Sequence, residues 1–358
     1  MESTEEKISA YRDFWARKST TRPLIAVDIG GWFPFERFSR LGRIADMEYI
    51  SCADLDVSEY LADYDTFLER SAAIPDNLIK GVAPVPAIPW MEAILGCRIR
   101  RNRESVWADS LRLSWEEIAR LKPETDNQWL AVYSRFVKGL ADHANGSYPV
   151  GLPILRGVSD LLGALRGHTE SIFDCIEYPD SARAACGTCA DALIAVVKLH
   201  HAAAGSFHGG YFIEQYAVWA PGPIVRLQED ASAVFSPTLF SDIVLEQDQR
   251  IAQAFPYSLI HLHSSSLFLL NELLSIPELD LFEVNKDIVE MQLPEMIPYL
   301  KKIQNTGRLL YLRGPLTRED FSLVHRELAP EGLIVQTVVQ SPAEADEVLA
   351  ETARLYGR

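Results

Sequence analysis

Short apolar runs rich in Val, Ile and Leu alternate along this chain with longer segments of helical period, the signature of βα units that feed a parallel sheet. The runs at 24–29 (LIAVDI), 149–155 (PVGLPIL), 207–214 (FHGGYFIE), 223–229 (PIVRLQE), 258–263 (SLIHLH), 280–284 (DLFEV), 308–313 (RLLYLR) and 333–338 (LIVQTV) predict eight strands. Eight is the count that closes an α/β (β/α)8 TIM barrel. Between them the periodicity predicts helices over 179–204, 237–254 and 341–356, the last opening on Ser341-Pro342-Ala343-Glu344, a capping box with Pro at the first helical position. Residues 30–148 separate the first two strands, far too many for one crossover. They are expected to form an insertion over one end of the barrel, with a Pro-rich passage at 83–89 and a short helix from Ser114. No repeat or low-complexity linker divides the chain, so 1–358 is expected to be a single domain.

Composition narrows the class. With 48% hydrophobic and 23% charged residues there is ample material for a buried sheet wrapped in helices. Lys and Arg total 34 against 50 Asp and Glu, a formal charge of −16, and the basic cluster Arg98, Arg100, Arg101 and Arg103 is short. A sustained basic face is missing, which excludes nucleic-acid binding as the main function. No apolar run reaches the length of a membrane span. The odd number of cysteines, five, and a start without a basic and apolar leader argue against a disulfide framework, so the expected compartment is the cytoplasm. Cys186-Gly-Thr-Cys189 falls inside the helical stretch 179–204 without a second pair, and reads as packing rather than a zinc or redox site.

In such a barrel the loops at the carboxyl ends of the strands converge on one open face, where catalytic residues gather. The strand ends then nominate Asp28 with Trp32 and Phe33, Arg156 and Asp160, Glu214, Tyr216 and Trp219, Glu229 and Asp230, His261 and His263, Glu283 and Asn285, Arg313, and Gln336 with Thr337. Glu229 and Asp230 are adjacent, so in a continuing strand only one of them faces inward. That one is a candidate general acid or base beside His263. Asp28, Trp32, Arg156, Tyr216, Trp219, His261, Glu283 and Arg313 are assigned to substrate binding: the arginines for an anionic group, the aromatics for a flat ligand.

Several of these stretches carry a resemblance. Trp219-Ala-Pro-Gly followed by Gln228-Glu-Asp-Ala-Ser-Ala-Val-Phe-Ser-Pro-Thr-Leu-Phe240, then His261-Leu-His-Ser-Ser-Ser266 with Ile276-Pro-Glu-Leu-Asp280, resemble motifs of the uroporphyrinogen decarboxylase and corrinoid-dependent methyltransferase superfamily. Pro89-Trp-Met-Glu-Ala-Ile-Leu-Gly-Cys97 and Pro149-Val-Gly-Leu-Pro-Ile-Leu-Arg-Gly157 are similar to it as well. The resemblance implies a (β/α)8 barrel that either decarboxylates porphyrinogen acetates or moves methyl groups between a corrinoid and an acceptor. Thiol-directed members hold zinc with a His-x-Cys pair and a later Cys; here His263 matches the His, Ser265 stands in place of Cys, and Val335-Gln-Thr-Val-Val339 has none. A serine hydroxyl is a poor zinc ligand, so no metal is assigned. The remaining route to zinc is the pair His261 and His263, at i, i+2, with Glu283 or Glu229. The decarboxylases' Arg-Gln-Ala-Gly-Arg motif is replaced by Asp28-Ile-Gly-Gly-Trp32, which would repel a polycarboxylate. The expected function is methyl transfer or demethylation with a small acceptor such as tetrahydrofolate and a partner corrinoid protein supplied in trans. A cofactor-independent decarboxylase or lyase on a small carboxylated substrate is the alternative, and a non-catalytic ligand-binding barrel the third.

Overall fold

The computed structural model describes residues 2–29, 38–43, 47–102, 105–122 and 127–357. Eleven strands occur among them: β1 Leu24–Ile29, β2 Tyr49–Ile50, β3 Ile99–Arg101, β4 Val106–Ala108, β5 Tyr211–Ile213, β6 Val218–Ala220, β7 Ile224–Gln228, β8 Tyr257–His263, β9 Leu281–Asn285, β10 Leu309–Gly314 and β11 Leu333–Val339. Six of them form one parallel sheet in the order β1-β11-β10-β9-β8-β7. Their near-continuous Val, Ile and Leu runs are buried, as strands covered on both faces require. The intervening helices lie where the periodicity predicts them, including Pro179–Ala204 and Pro342–Tyr356; the stretch 237–254 is split into Pro237–Ile243 and Leu245–Gln253. Ser341 accepts from the Glu344 N–H as a cap should, while the Glu344 carboxylate takes the Gln340 N–H.

Two of the eight expected strands are not part of this sheet, and the reasons are local. In 149–155, Pro149 and Pro153 remove ladder donors, and only the isolated parallel bridges Val82 to Val150 and Leu152 to Ile213 remain. The run 207–214 yields only β5, which folds back on β6 as an antiparallel hairpin. The turn between them passes through Ala217 at φ 50°. A second difference concerns the insertion. Residues 30–148 do contain a small antiparallel sheet, β2-β3-β4, but the chain also returns to the main sheet within them. The Asn77 N–H donates to the Ile25 carbonyl (3.0 Å), and Val82 then pairs beside Val150. This return is only a few residues long and interrupted by Lys80 and Gly81. A Cβ on Gly81 would stand 2.6 Å from the Pro149 carbonyl oxygen, so glycine is what lets the two backbones approach.

The helix Thr4–Trp15, opened by a Ser3–Glu6 capping box, packs on the β6 hairpin: the Tyr11 hydroxyl donates to the Ala217 carbonyl and the Trp15 indole N–H to the Trp219 carbonyl (2.8 Å). One apolar core cluster runs from Ile8 to Val335. No helix among the described residues is long and apolar enough to cross a membrane.

Candidate functional site

Register across the sheet collects the polar side chains. Gln228, His261, Glu283 and Tyr311 are mutual neighbours across β7, β8, β9 and β10. Two residues further on, His263, Asn285, Arg313 and Gln336 form the next row. The two-residue period places both rows on the same face, and Asp230 and Asp287 continue it past the ends of β7 and β9.

The two histidines are fixed by carboxylates from opposite sides. His261 Nδ1 bonds Glu283 Oε2, in a pair almost wholly out of solvent. His263 Nδ1 bonds Asp287 at 3.0 and 3.1 Å. Both Nε2 atoms are thereby turned toward each other, 3.3 Å apart, and Asp230 Oδ1 lies 3.9 Å from His263 Nε2. The hydrogen bond that His263 donates to Asp287 pushes the His263 pKa up to about 9 against the opposing effect of burial, with Asp230 adding to the rise. Burial, the largest single effect, works against the charge of Asp287, but the hydrogen bond and charge of His263 together with the Asn285 amide and the Ser264 N–H outweigh it and leave that carboxyl below its ordinary value. Side-chain amides complete the ring: Gln228 donates to Asp230 Oδ2 and Asn285 to Asp287 Oδ1. Among the described residues, Asp230, His261 and His263 form a group whose donor atoms all lie within 4.8 Å of one another, close enough to hold a metal ion.

Glu229 faces the other way. Its two carboxylate oxygens accept the N–H groups of Val158 (2.9 Å) and Ser159 (2.8 Å), the start of the helix Val158–Arg166. The preceding Gly157 donates to the Gln228 carbonyl at 2.9 Å, and a Cβ there would fall 1.9 Å from Glu229 Oε1. Behind this corner lies Asp248, fully buried, its carboxyl pKa raised well above the ordinary range by burial and then by Glu229. Glu229 is raised too, chiefly by burial. Asp160 accepts the Asp230 N–H (3.0 Å), and burial followed by repulsion from Asp230 and Glu229 lifts its pKa well above normal. Beside it, Arg156 pairs with the buried Glu92 at 3.2 Å.

These positions correct several expectations. Trp219 is not at the mouth: β6 runs back toward the N-terminal helix, and the fully buried indole N–H donates to the Phe207 carbonyl (2.8 Å). Tyr216 is also fully buried, beneath the site; its hydroxyl accepts from Arg226 Nη2 (3.0 Å) and its ring stacks on His261 at 6.0 Å. Arg313 sits inside the sheet, 3% exposed, with Nε donating to Gln336 at 2.6 Å. Asp28 is the penultimate residue of β1 and is near enough to support the Arg313 charge, which burial opposes. Trp32 lies outside the described residues. The strand-end list omitted Asp287, Gln228 and Glu92, although the spacing Glu283, Asn285, Asp287 continues the inward period and points to the first of them.

The zinc thiolate set implied by the family resemblance does not fit. Ser265 is exposed beyond β8, its N–H bound to Glu290 (2.9 Å), and Cys97, Cys175, Cys186 and Cys189 are buried. No family model matches the sequence. No curated protein matches it either. Its fold is similar to that of a methyltransferase from Methanosarcina mazei. The two share a TM-score of 0.64 at 13% identity, over 98% of this chain and 99% of that one. At this identity the likeness establishes a common fold, and it extends over both chains almost end to end.

Proposed function

We propose that this chain is a methyltransferase or demethylase of the corrinoid-linked type, passing a methyl group between a partner corrinoid protein and a small acceptor such as tetrahydrofolate. The observation that carries the reading is the end-to-end fold likeness to a methyltransferase, coupled to a polar cluster at the carboxyl ends of the strands, where this class of fold places its chemistry. We take the chain as one domain, with the bridges at Val82, Val150 and Leu152 completing the (β/α)8 barrel between β1 and β5. The mouth also suits a protein partner. Val234, Phe268, Ile288 and Val289, on the loops that follow β7, β8 and β9, expose apolar side chains around the cluster.

In this reading the methyl group moves by in-line displacement: the bond from carbon to its donor breaks as the bond to the acceptor forms, and the donor keeps the electron pair. The chain's residues position the two groups and manage the acceptor's proton. Asp230, held by Gln228 and by the Asp160 contact to its backbone, accepts from an N–H of the bound ligand. His263, charged at neutral pH through Asp287, donates at Nε2. The decarboxylase alternative requires Arg156 or Arg313 to grip a carboxylate. Arg156 is paired with Glu92 and Arg313 is bonded to Gln336, so methyl transfer is the better supported reading.

The test is a transfer assay with methylated corrinoid protein and tetrahydrofolate, following loss of the methylcorrinoid absorbance. The expected result is transfer by the wild-type chain, reduced at least about 100-fold in Asp230→Asn. Absence of transfer, together with corrinoid-independent release of carbon dioxide from a small carboxylic acid, would replace this reading with the alternative.

A further inference from the structure

We infer that Asp230, His261 and His263 form a sulfur-free metal site, with two imidazole nitrogens and one carboxylate oxygen binding a borderline divalent transition-metal ion such as Zn2+ or Co2+. The site shares the mouth used by the transfer reading but stands on geometry that does not require methyl transfer. With the ion bound, His263 Nε2 and Asp230 Oδ1 are ligands, and the ion takes over the charge that the protonated His263 supplies in its absence. An ion about 2.1 Å from each imidazole nitrogen and carboxylate oxygen in tetrahedral arrangement sets its ligand atoms roughly 3.4 Å apart. The two Nε2 atoms are 3.3 Å apart, and His263 Nε2 to Asp230 Oδ1 is 3.9 Å. The histidine pair already has the required spacing, and the closure falls on Asp230, a partly exposed side chain whose donor atom lies within 4.8 Å of both imidazole nitrogens.

The surroundings are built for that use. A metal-binding histidine ordinarily gives its other ring nitrogen to a carboxylate, which fixes the ring and raises the basicity of the free nitrogen. Both histidines do so here: His261 Nδ1 to Glu283, buried in the sheet interior, and His263 Nδ1 to Asp287. Asp230 is likewise oriented, by the Gln228 amide on Oδ2, leaving Oδ1 toward the histidines. Three side chains therefore aim three donors toward one another from the ends of β7 and β8, held by partners on β7, on β9 and just beyond it. The donor set also separates this site from a thiolate one, since imidazole and carboxylate favour borderline and harder ions over thiophilic ones. Three protein donors leave at least one position open to a ligand, as sites of this stoichiometry do.

The test is made on the full chain, stripped with a chelator and titrated calorimetrically with Zn2+ and, in parallel, with Co2+ while visible absorption is recorded. One ion per chain is expected, with Co2+ ligand-field bands and no thiolate-to-cobalt charge-transfer band. Asp230→Asn and His263→Gln, both at partly exposed positions, should weaken binding about 100-fold or more. Glu283→Gln and Asp287→Asn should weaken it about 10- to 100-fold without touching the ion. Asp230→Cys should retain the ion and introduce the charge-transfer band. Circular dichroism on each variant separates lost binding from lost fold. No stoichiometric ion, affinity unchanged in Asp230→Asn and His263→Gln alike, or a thiolate band in the wild type would each overturn the site. Because neither methyl donor nor acceptor is present, a failure here leaves the transfer reading standing, and a failed transfer assay leaves this site standing.

Discussion

Glu229 and Asp230 are neighbours with the same functional group, yet they occupy opposite sides of one strand end and meet different partners. Asp230 meets two histidines at an open mouth, whereas Glu229 is sealed behind the sheet, bonded to the N–H groups of Val158 and Ser159. The difference comes from a two-residue alternation, and it teaches that proximity in sequence to a site is a poor guide to membership in it. One carboxylate should govern activity and the other stability.

The contrast is sharpest in a pair of substitutions. Asp230→Asn should lower methyl transfer by about 10²- to 10⁴-fold while changing unfolding free energy by less than about 0.5 kcal/mol. Equal losses of activity and stability would erase the distinction. In the reverse direction, Glu229→Ala leaves two buried N–H donors unpaired and should cost about 2–4 kcal/mol, read by urea unfolding.

Two further effects concern proton balance. Asp248 has a folded pKa raised above its unfolded value, so its contribution to stability is fully present below about pH 4 and is lost as pH rises through the folded pKa. Asp248→Asn removes that titration while keeping the shape, and its stability should decline less as pH rises from about 4. At the mouth, the His263 pKa of about 9 lies above the ordinary 6.5. Its stabilisation is present below about pH 6.5 and disappears as pH climbs through 9. Asp287→Asn should bring the His263 titration down, observable by NMR of the imidazole protons, while Glu229→Gln leaves it in place. The smallest effect is at the thiols. Cys52 is the least buried of the five, so a thiol reagent at pH 8 should label it first and spare Cys186 and Cys189 until the chain unfolds.

Much of the sheet was legible because six strands are uninterrupted apolar runs, and the histidine pair and both acids at 229–230 lie at their ends. The arc from 77 to 82 and from 149 to 155 was not, since Lys80, Gly81, Pro149 and Pro153 break the patterns by which strands are recognised. Trp219 was misplaced because a hairpin reverses the chain after Ile213, and a reversal inside an apolar run leaves no periodic trace. The serine at 265 stands at a ligand position of the resembled family, whereas the side chains that meet at the mouth include His261, two periods of the alternation earlier, and Asp287, beyond the end of β9. Their convergence depends on strand register, which hydrophobic periodicity alone does not specify.

The most direct measurement is anomalous diffraction at the cobalt edge from crystals of the full chain grown with Co2+. The account predicts one peak, about 2.0–2.2 Å from the Nε2 atoms of His261 and His263 and from Asp230. A peak between Glu229 and Asp248, or none at the histidines, would contradict it.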